Sequence, residues 1–187
     1  PQDIDLSSSC GNFSASLDWV STTNVSQVCA TATTTCNGGT LPGTEQYIFT
    51  GVVTLPPCNN WVMSWSLCCR NDAITNLATP GSQDLYIQTT LNNVLAPGNN
   101  SPQFLALPTP YLCTNQLTIY NHGAADIDGD SLYYQFTTPL DGPAAPIAYT
   151  AGYSTNNPII TASGMNLNPT TGEMCLTPTV AQICVVS

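Results

Sequence analysis

Residues 58–70 read CNNWVMSWSLCCR, and within them Trp61, Met63, Trp65 and Leu67 fall at every second position. In an extended chain successive side chains point to opposite faces. These four therefore share one face, and Val62, Ser64, Ser66 and Cys68 take the other. The stretch predicts a β-strand whose large apolar face packs into a core, in preference to an exposed sugar-stacking stripe. Cys68 and Cys69 are adjacent, so in a strand they point opposite ways and are expected to pair with different partners.

Working outward, the same punctuation recurs. Residues 46–55 (QYIFTGVVTL) read as a strand ended by Pro56-Pro57, and residues 85–95 (LYIQTTLNNVL) as another. Before them, Phe13, Ala15, Leu17 and Trp19 alternate, and residues 25–35 are small and β-branched up to a turn at Asn37-Gly38-Gly39. Residues 96–110 (APGNNSPQFLALPTP) carry four prolines and read as a semi-rigid linker, which places a domain boundary near residue 109. Beyond it, residues 111–120 and 131–138 read as strands, 168–173 (NPTTGE) as a turn, and 174–177 as a further strand. Short strands separated by turns, with no helical period and no strict repeat, give an all-β expectation. The expected architecture is two tandem immunoglobulin/cadherin-like β-sandwich domains, disulfide-stabilised. A Cys-rich N-terminal domain spans 1–108 and a cadherin-like domain 109–187, the latter cut short at its C-terminus.

Charge narrows the function classes. Only 6% of the 187 residues are charged, 11 acids stand against one arginine, and the formal net charge is −10. Nucleic-acid phosphates need Lys or Arg contacts, and anionic membrane surfaces attract basic segments, so both partners are disfavoured. No stretch approaches the roughly 18 apolar residues of a membrane-spanning helix. A polar but scarcely charged surface rich in Thr, Ser and Asn suits an extracellular β-protein.

The cysteines are Cys10, Cys29, Cys36, Cys58, Cys68, Cys69, Cys113, Cys175 and Cys184. No CxxC spacing occurs, and a single histidine does not complete a Cys/His zinc site of the usual kind. Disulfides formed in an oxidising compartment are the better account, so secretion is expected. Cys29 and Cys36 are close enough in sequence to clip a hairpin. An odd count leaves one thiol free or paired outside the segment, and both ends of the chain read as cuts.

The strongest chemical signal is residues 121–135, NHGAADIDGDSLYYQ. Asp126, Asp128 and Asp130 sit at every second position, with Gly129 allowing a tight turn. Such carboxylates repel each other unless a cation lies between them. The chain has no lysine, and Arg70 is distant in sequence. A calcium ion, which takes several oxygen ligands in flexible geometry, is the simplest neutraliser. The spacing is not an EF-hand: counting from Asp126, position six is Ser131 and position twelve Thr137. A solvated acidic turn is the plainer alternative. Arg70, beside Asp72, is expected in an ion pair or bonded to backbone carbonyls.

Catalysis finds little support. His122 is the only histidine, GxSxG and phosphate-cradling motifs are missing, and the acids offer no glycosidase-like pair, so no catalytic residue is assigned. Tyr133, Tyr134 and Tyr153 are candidates for stacking on a surface polysaccharide. N-x-S/T sequons occur at Asn12, Asn24 and Asn99. Asp130-Ser131-Leu132 resembles a short O-glycan acceptor, with Ser131 the modified residue.

The runs YIFTGVVTLPPC (47–58), WVMSWSLCCRNDAITNL (61–77), LYIQTTLNNVLAPGNNSPQF (85–104), PYLCTNQLTIYNHGAADIDGDSLYY (110–134) and NPTTGEMCLTP (168–178) together resemble extracellular modules of Bacteroidetes gliding-motility-associated surface adhesins. The likeness spans about residues 41–184, and CCRN and NHGxxDxDGDSL are its specific elements. The resemblance implies type IX secretion and a β-sandwich repeat of a cell-surface adhesin, fibre or filament. Neighbouring domains or subunits would be its partners, and Asp126, Asp128 and Asp130 its calcium loop.

Overall fold

A computed structural model describes residues 1–29, 31–107, 111–121 and 123–187. The architecture is all-β, with short antiparallel strands joined by turns and single-turn 3-10 helices at Thr35–Asn37 and Pro80–Ser82.

The chain divides into two compact units, and neither is contiguous. The first comprises Pro1–Met63, Thr90–Pro97 and Leu107–Tyr111; the second comprises Ser64–Thr89, Gly98–Ala106 and Leu112–Ser187. Thr109, where the boundary was expected, lies outside the described residues. The units interleave, so consecutive domains over 1–108 and 109–187 do not describe them. The cause is long-range pairing that composition does not report. Tyr86 pairs with Leu140, and Arg70 bonds the Leu140 carbonyl, which draws residues 64–89 into the second unit.

In the first unit, β1 (Gln2–Ser8) and β2 (Gly11–Asn24) form a hairpin in register from Gln2↔Leu17 to Ser8↔Gly11. β2 outruns β1 and continues against β3 (Glu45–Thr50), from Asp18↔Thr50 to Asn24↔Glu45, with a bulge between Trp19 and Ser21. The strand expected over 46–55 therefore stops at Thr50. Leu6, Cys58 and Trp61 form the core, with Ile4, Ala15, Val53, Leu55, Met63 and Leu91 packed around them. Trp61 is fully buried, its Nε1 donates to the Pro56 carbonyl at 3.0 Å, and the Phe13 ring meets it edge-on at 5.7 Å. Burying an indole of roughly 200 Å² stabilises by about 5 kcal/mol. The Cys10–Cys58 disulfide ties the β1–β2 turn to this core.

β4 (Trp61–Leu67) carries the alternating stripe. Trp61 is buried as expected, Met63 and Trp65 are half-buried, and Leu67 is exposed, so the core-facing reading holds at the start of the strand and fades toward its end. The expectation for Cys68 and Cys69 is corrected: they are disulfide-bonded to each other across a cis peptide. The strand ends at Leu67, so the alternation that would have separated them does not reach this pair. Cys29 and Cys36 are both free thiols rather than a clip, as are Cys113, Cys175 and Cys184. The segment holding Cys29 and Cys36 forms a bridge at Thr34↔Leu41 and a 3-10 turn in place of a hairpin that would set them opposite each other.

β5 (Leu85–Leu91) belongs to the second unit up to Thr89, and there it pairs with β9 (Leu140–Gly142), which pairs with β10 (Ala145–Pro146). A second sheet has the order β11 (Asn166–Leu167), β12 (Glu173–Leu176), β7 (Thr118–Asn121), and a short ladder joins β6 (Gln103–Phe104) to β8 (Ala124–Ala125). Leu77, Tyr86, Ile147, Ile159 and Leu176 are its buried apolar residues. Asn76 is fully buried among them. Its Nδ2 donates to the carbonyls of Pro158 (2.9 Å) and Val185 (2.8 Å), and its Oδ1 accepts from the Val185 amide at 3.1 Å. A side-chain amide thus stands in for strand pairing, satisfying groups that burial would otherwise leave costly.

Residues 131–138 are not a strand. Tyr134 and Thr137 donate singly to the carbonyls of Pro169 (2.9 Å) and Ser187 (2.8 Å), so the segment lacks a ladder. The Tyr134 ring lies against Gly172, where φ is 73° and an added Cβ would sit 2.7 Å from the ring.

Candidate metal centre

The acidic loop is built by local hydrogen bonding. The Gly129 amide donates to the Asp126 carbonyl at 3.3 Å, and Gly129 takes a φ of 81°. Asp126 Oδ1 accepts from the backbone amides of Asp128 (2.8 Å) and Asp130 (3.4 Å), folding its carboxylate back over the turn. The result is convergence. One carboxylate oxygen from each of Asp126, Asp128 and Asp130 lies within 4.8 Å of the other two. Asp126 is half-buried, while Asp128, Asp130 and the neighbouring Ser131 are exposed.

A fourth residue holds the loop, one that sequence reasoning missed. Asn100 donates its backbone amide to Asp128 Oδ2 at 2.6 Å and its side-chain amide to both Asp128 oxygens at 3.0 and 3.2 Å. These bonds, the backbone one first, hold the Asp128 carboxyl below its usual range. Nothing in the sequence spacing pairs residues 28 apart, although Asn99-Asn100-Ser101 stands out as polar within its Pro-rich stretch.

The donor set fits a hard cation. It consists of three carboxylates, all oxygen donors, and the chain's one arginine is committed elsewhere. Arg70 Nε donates to the Asp84 carbonyl at 3.0 Å and a terminal nitrogen donates to the Leu140 carbonyl at 3.1 Å, which bears out the backbone-bonded expectation. Burial lowers the Arg70 pKa, and the charge of Asp141 opposes the shift. Asp126, Asp128 and Asp130 would hold a calcium ion, which would offset two of the three negative charges and lock the turn.

The other sequence candidates separate. His122 lies outside the described residues. Of the tyrosines named for sugar stacking, Tyr133 is exposed, Tyr134 is half-buried against Gly172, and Tyr153 is half-buried with its hydroxyl 3.4 Å from Gln182 Oε1. Among the described residues no helix is long and apolar enough to cross a membrane. A second grouping, Cys68, Cys69 and Asp84, is chemically different, because both sulfurs are consumed in one disulfide. No protein-family model, curated protein or solved structure matches the chain.

Proposed function

We propose that this chain is a non-catalytic structural or adhesive module of a large secreted cell-surface protein or extracellular filament, stiffened by disulfides and by calcium at the Asp126–Asp128–Asp130 loop. The observation that carries the reading is the convergence of three carboxylates in a turn pinned from two sides, by its own amides and by Asn100. A cation there would tie the loop through Asp128 to the 98–106 segment and remove a repulsion that otherwise weakens the turn. The Cys10–Cys58 disulfide supports an oxidising, extracellular setting. The same setting fits the resemblance to adhesin modules of immunoglobulin/cadherin-like sandwich type, with neighbouring domains or subunits as partners.

Isothermal titration of calcium into the full chain tests this reading. Binding near one ion per chain is expected, in the ~0.1–1 mM range typical of extracellular modules. Asp126→Ala should weaken it at least tenfold. No heat of binding at millimolar calcium would leave the loop an ordinary acidic turn and remove the cation from the account.

A further inference from the structure

Beyond the end of β1, strands β2 and β3 continue as a two-stranded ribbon within the first unit. Register assigns its faces, because paired residues share a side and alternate residues switch. Phe13, Ala15 and Leu17 lie on the core side of β2. Trp19 follows on that side, directly opposite Phe49. Past the bulge, Thr22 opposite Tyr47 and Asn24 opposite Glu45 take the same side. Side-chain bonds agree with this placement: Trp19 Nε1 donates to Thr22 Oγ1 at 3.1 Å, and the Tyr47 hydroxyl donates to Glu45 Oε2 at 2.5 Å. The core face thus runs on past its cover. Trp19 is 58% and Tyr47 56% exposed, and Phe49 is half-buried between them.

We propose that this face, Trp19, Phe49 and Tyr47 rimmed by Glu45, Thr22 and Asn24, is a binding platform for an uncharged saccharide. The proposal rests on the adhesive reading and names its ligand class.

Three features select that ligand. The first is area. Two half-exposed rings and part of a third offer about 300 Å², given 150–250 Å² per aromatic side chain. A specific protein interface needs roughly 500 Å² or more from each partner. The face is therefore small for a second copy and sufficient for two or three sugar rings. Second, both polar ring tips are tied down, so the rings are held in place before a ligand arrives and little freedom is lost on binding. Third, the rim offers the Glu45 carboxylate and the Thr22 hydroxyl, acceptors for sugar hydroxyl donors, while the chain's single arginine lies in the second unit and bonds carbonyls there. An anionic ligand would meet a net charge of −10 with no cation on the platform. Sugar rings, apolar on one face and hydroxyl-rich at the edge, match both surfaces.

The test is affinity electrophoresis of the full chain through native gels holding hydroxyethyl cellulose, arabinoxylan or galactomannan. Oligolysine titration, followed by tryptophan fluorescence, serves as the cationic arm, and size-exclusion chromatography reads self-association. Retardation by at least one neutral polysaccharide is expected. The apparent Kd should rise about tenfold in Trp19→Ala and in Tyr47→Ala, corresponding to about 1.4 kcal/mol, and stay unchanged in Leu117→Ala, an exposed position outside the platform. Both substituted side chains are more than half exposed, so the variants should keep the fold by circular dichroism; should one unfold, the other carries the comparison. Lack of retardation in all three gels, or retardation undiminished by both substitutions, overturns the proposal. Binding confined to oligolysine overturns it in favour of a basic peptide partner, and a dimer abolished by Trp19→Ala in favour of a second copy. Failure here leaves the calcium titration unaffected, and a failed calcium titration leaves these gels unaffected, so the two readings fail separately.

Discussion

Replacing both members of the Cys10–Cys58 disulfide by alanine removes the cross-link that closes the longest covalent loop in the first unit. The cysteines are 48 residues apart, and their Cα atoms lie 6.2 Å from each other, within the usual span of a disulfide. Closing a loop of that length restricts the unfolded chain by about 4 kcal/mol in the chain-entropy account. Against a typical domain stability of about 5–15 kcal/mol, that is a large fraction. The assay is urea unfolding followed by tryptophan fluorescence, since Trp61 packs beside Cys58 in the same core. The double variant should lose about 3–4 kcal/mol and show a larger m value, because the unfolded state is freed to expand. Cys10→Ala alone should cost nearly as much as the pair, since either change opens the loop, and reduced wild type should match the double variant. A loss below about 1 kcal/mol, or single-variant effects that add, would refute the loop-closure reasoning.

Three further outcomes follow from local geometry. Gly172→Ala should destabilise by about 2 kcal/mol or more, because a left-handed backbone position and the Tyr134 ring both oppose a Cβ; in a Tyr134→Ala background, thermal melts should recover the steric part and leave the backbone part. Asn76→Ala should cost about 3 kcal/mol in the same urea assay by stranding groups of Pro158 and Val185 that the buried amide satisfies; a loss under 1 kcal/mol would mean water replaces it. The Tyr47 phenol, raised first by its hydrogen bond to Glu45 and then by that carboxylate's charge, should titrate above the ordinary tyrosine range by absorbance. Because its folded pKa is the higher one, the contact's contribution is complete below the ordinary tyrosine pKa and lost as pH rises through the folded value. Glu45→Gln should bring the titration back, and an unchanged curve would contradict the contact.

Sequence reasoning succeeded where the signal was local. Alternation places β4 at Trp61–Leu67 and turns Trp61 inward, the scarcity of charge leaves Arg70 an ion pair or backbone carbonyls, of which it takes the carbonyls, and every-second-residue spacing brings the three aspartates together. It failed where distant residues decide. Residues 131–138 have strand-like composition, yet their amides meet single carbonyls from Pro169 and Ser187, which no local window contains. The Pro-rich stretch reads as a linker, but Asn100 within it bonds Asp128, so it belongs to the folded site. Setting Cys68 and Cys69 on opposite faces carries strand alternation two residues beyond the strand's end at Leu67. The interleaved units arise from pairings such as Tyr86↔Leu140, whose sequence separation is invisible to periodicity. The aromatic ribbon is half visible in sequence: alternation includes Trp19, but only the register with β3 sets it beside Phe49 and Tyr47.

Thermal unfolding of the full chain, in saturating calcium and in chelator, with Asp128→Ala alongside wild type, tests the cation-stiffened module most directly. A ligand of the native state at a hundred times its Kd stabilises by about 2.7 kcal/mol, which for a chain of this length is a shift of about 5–10 °C. The account predicts that shift for wild type and little or none for Asp128→Ala. Equal melting temperatures for wild type in calcium and in chelator would contradict it and leave disulfides and packing as the source of stiffness.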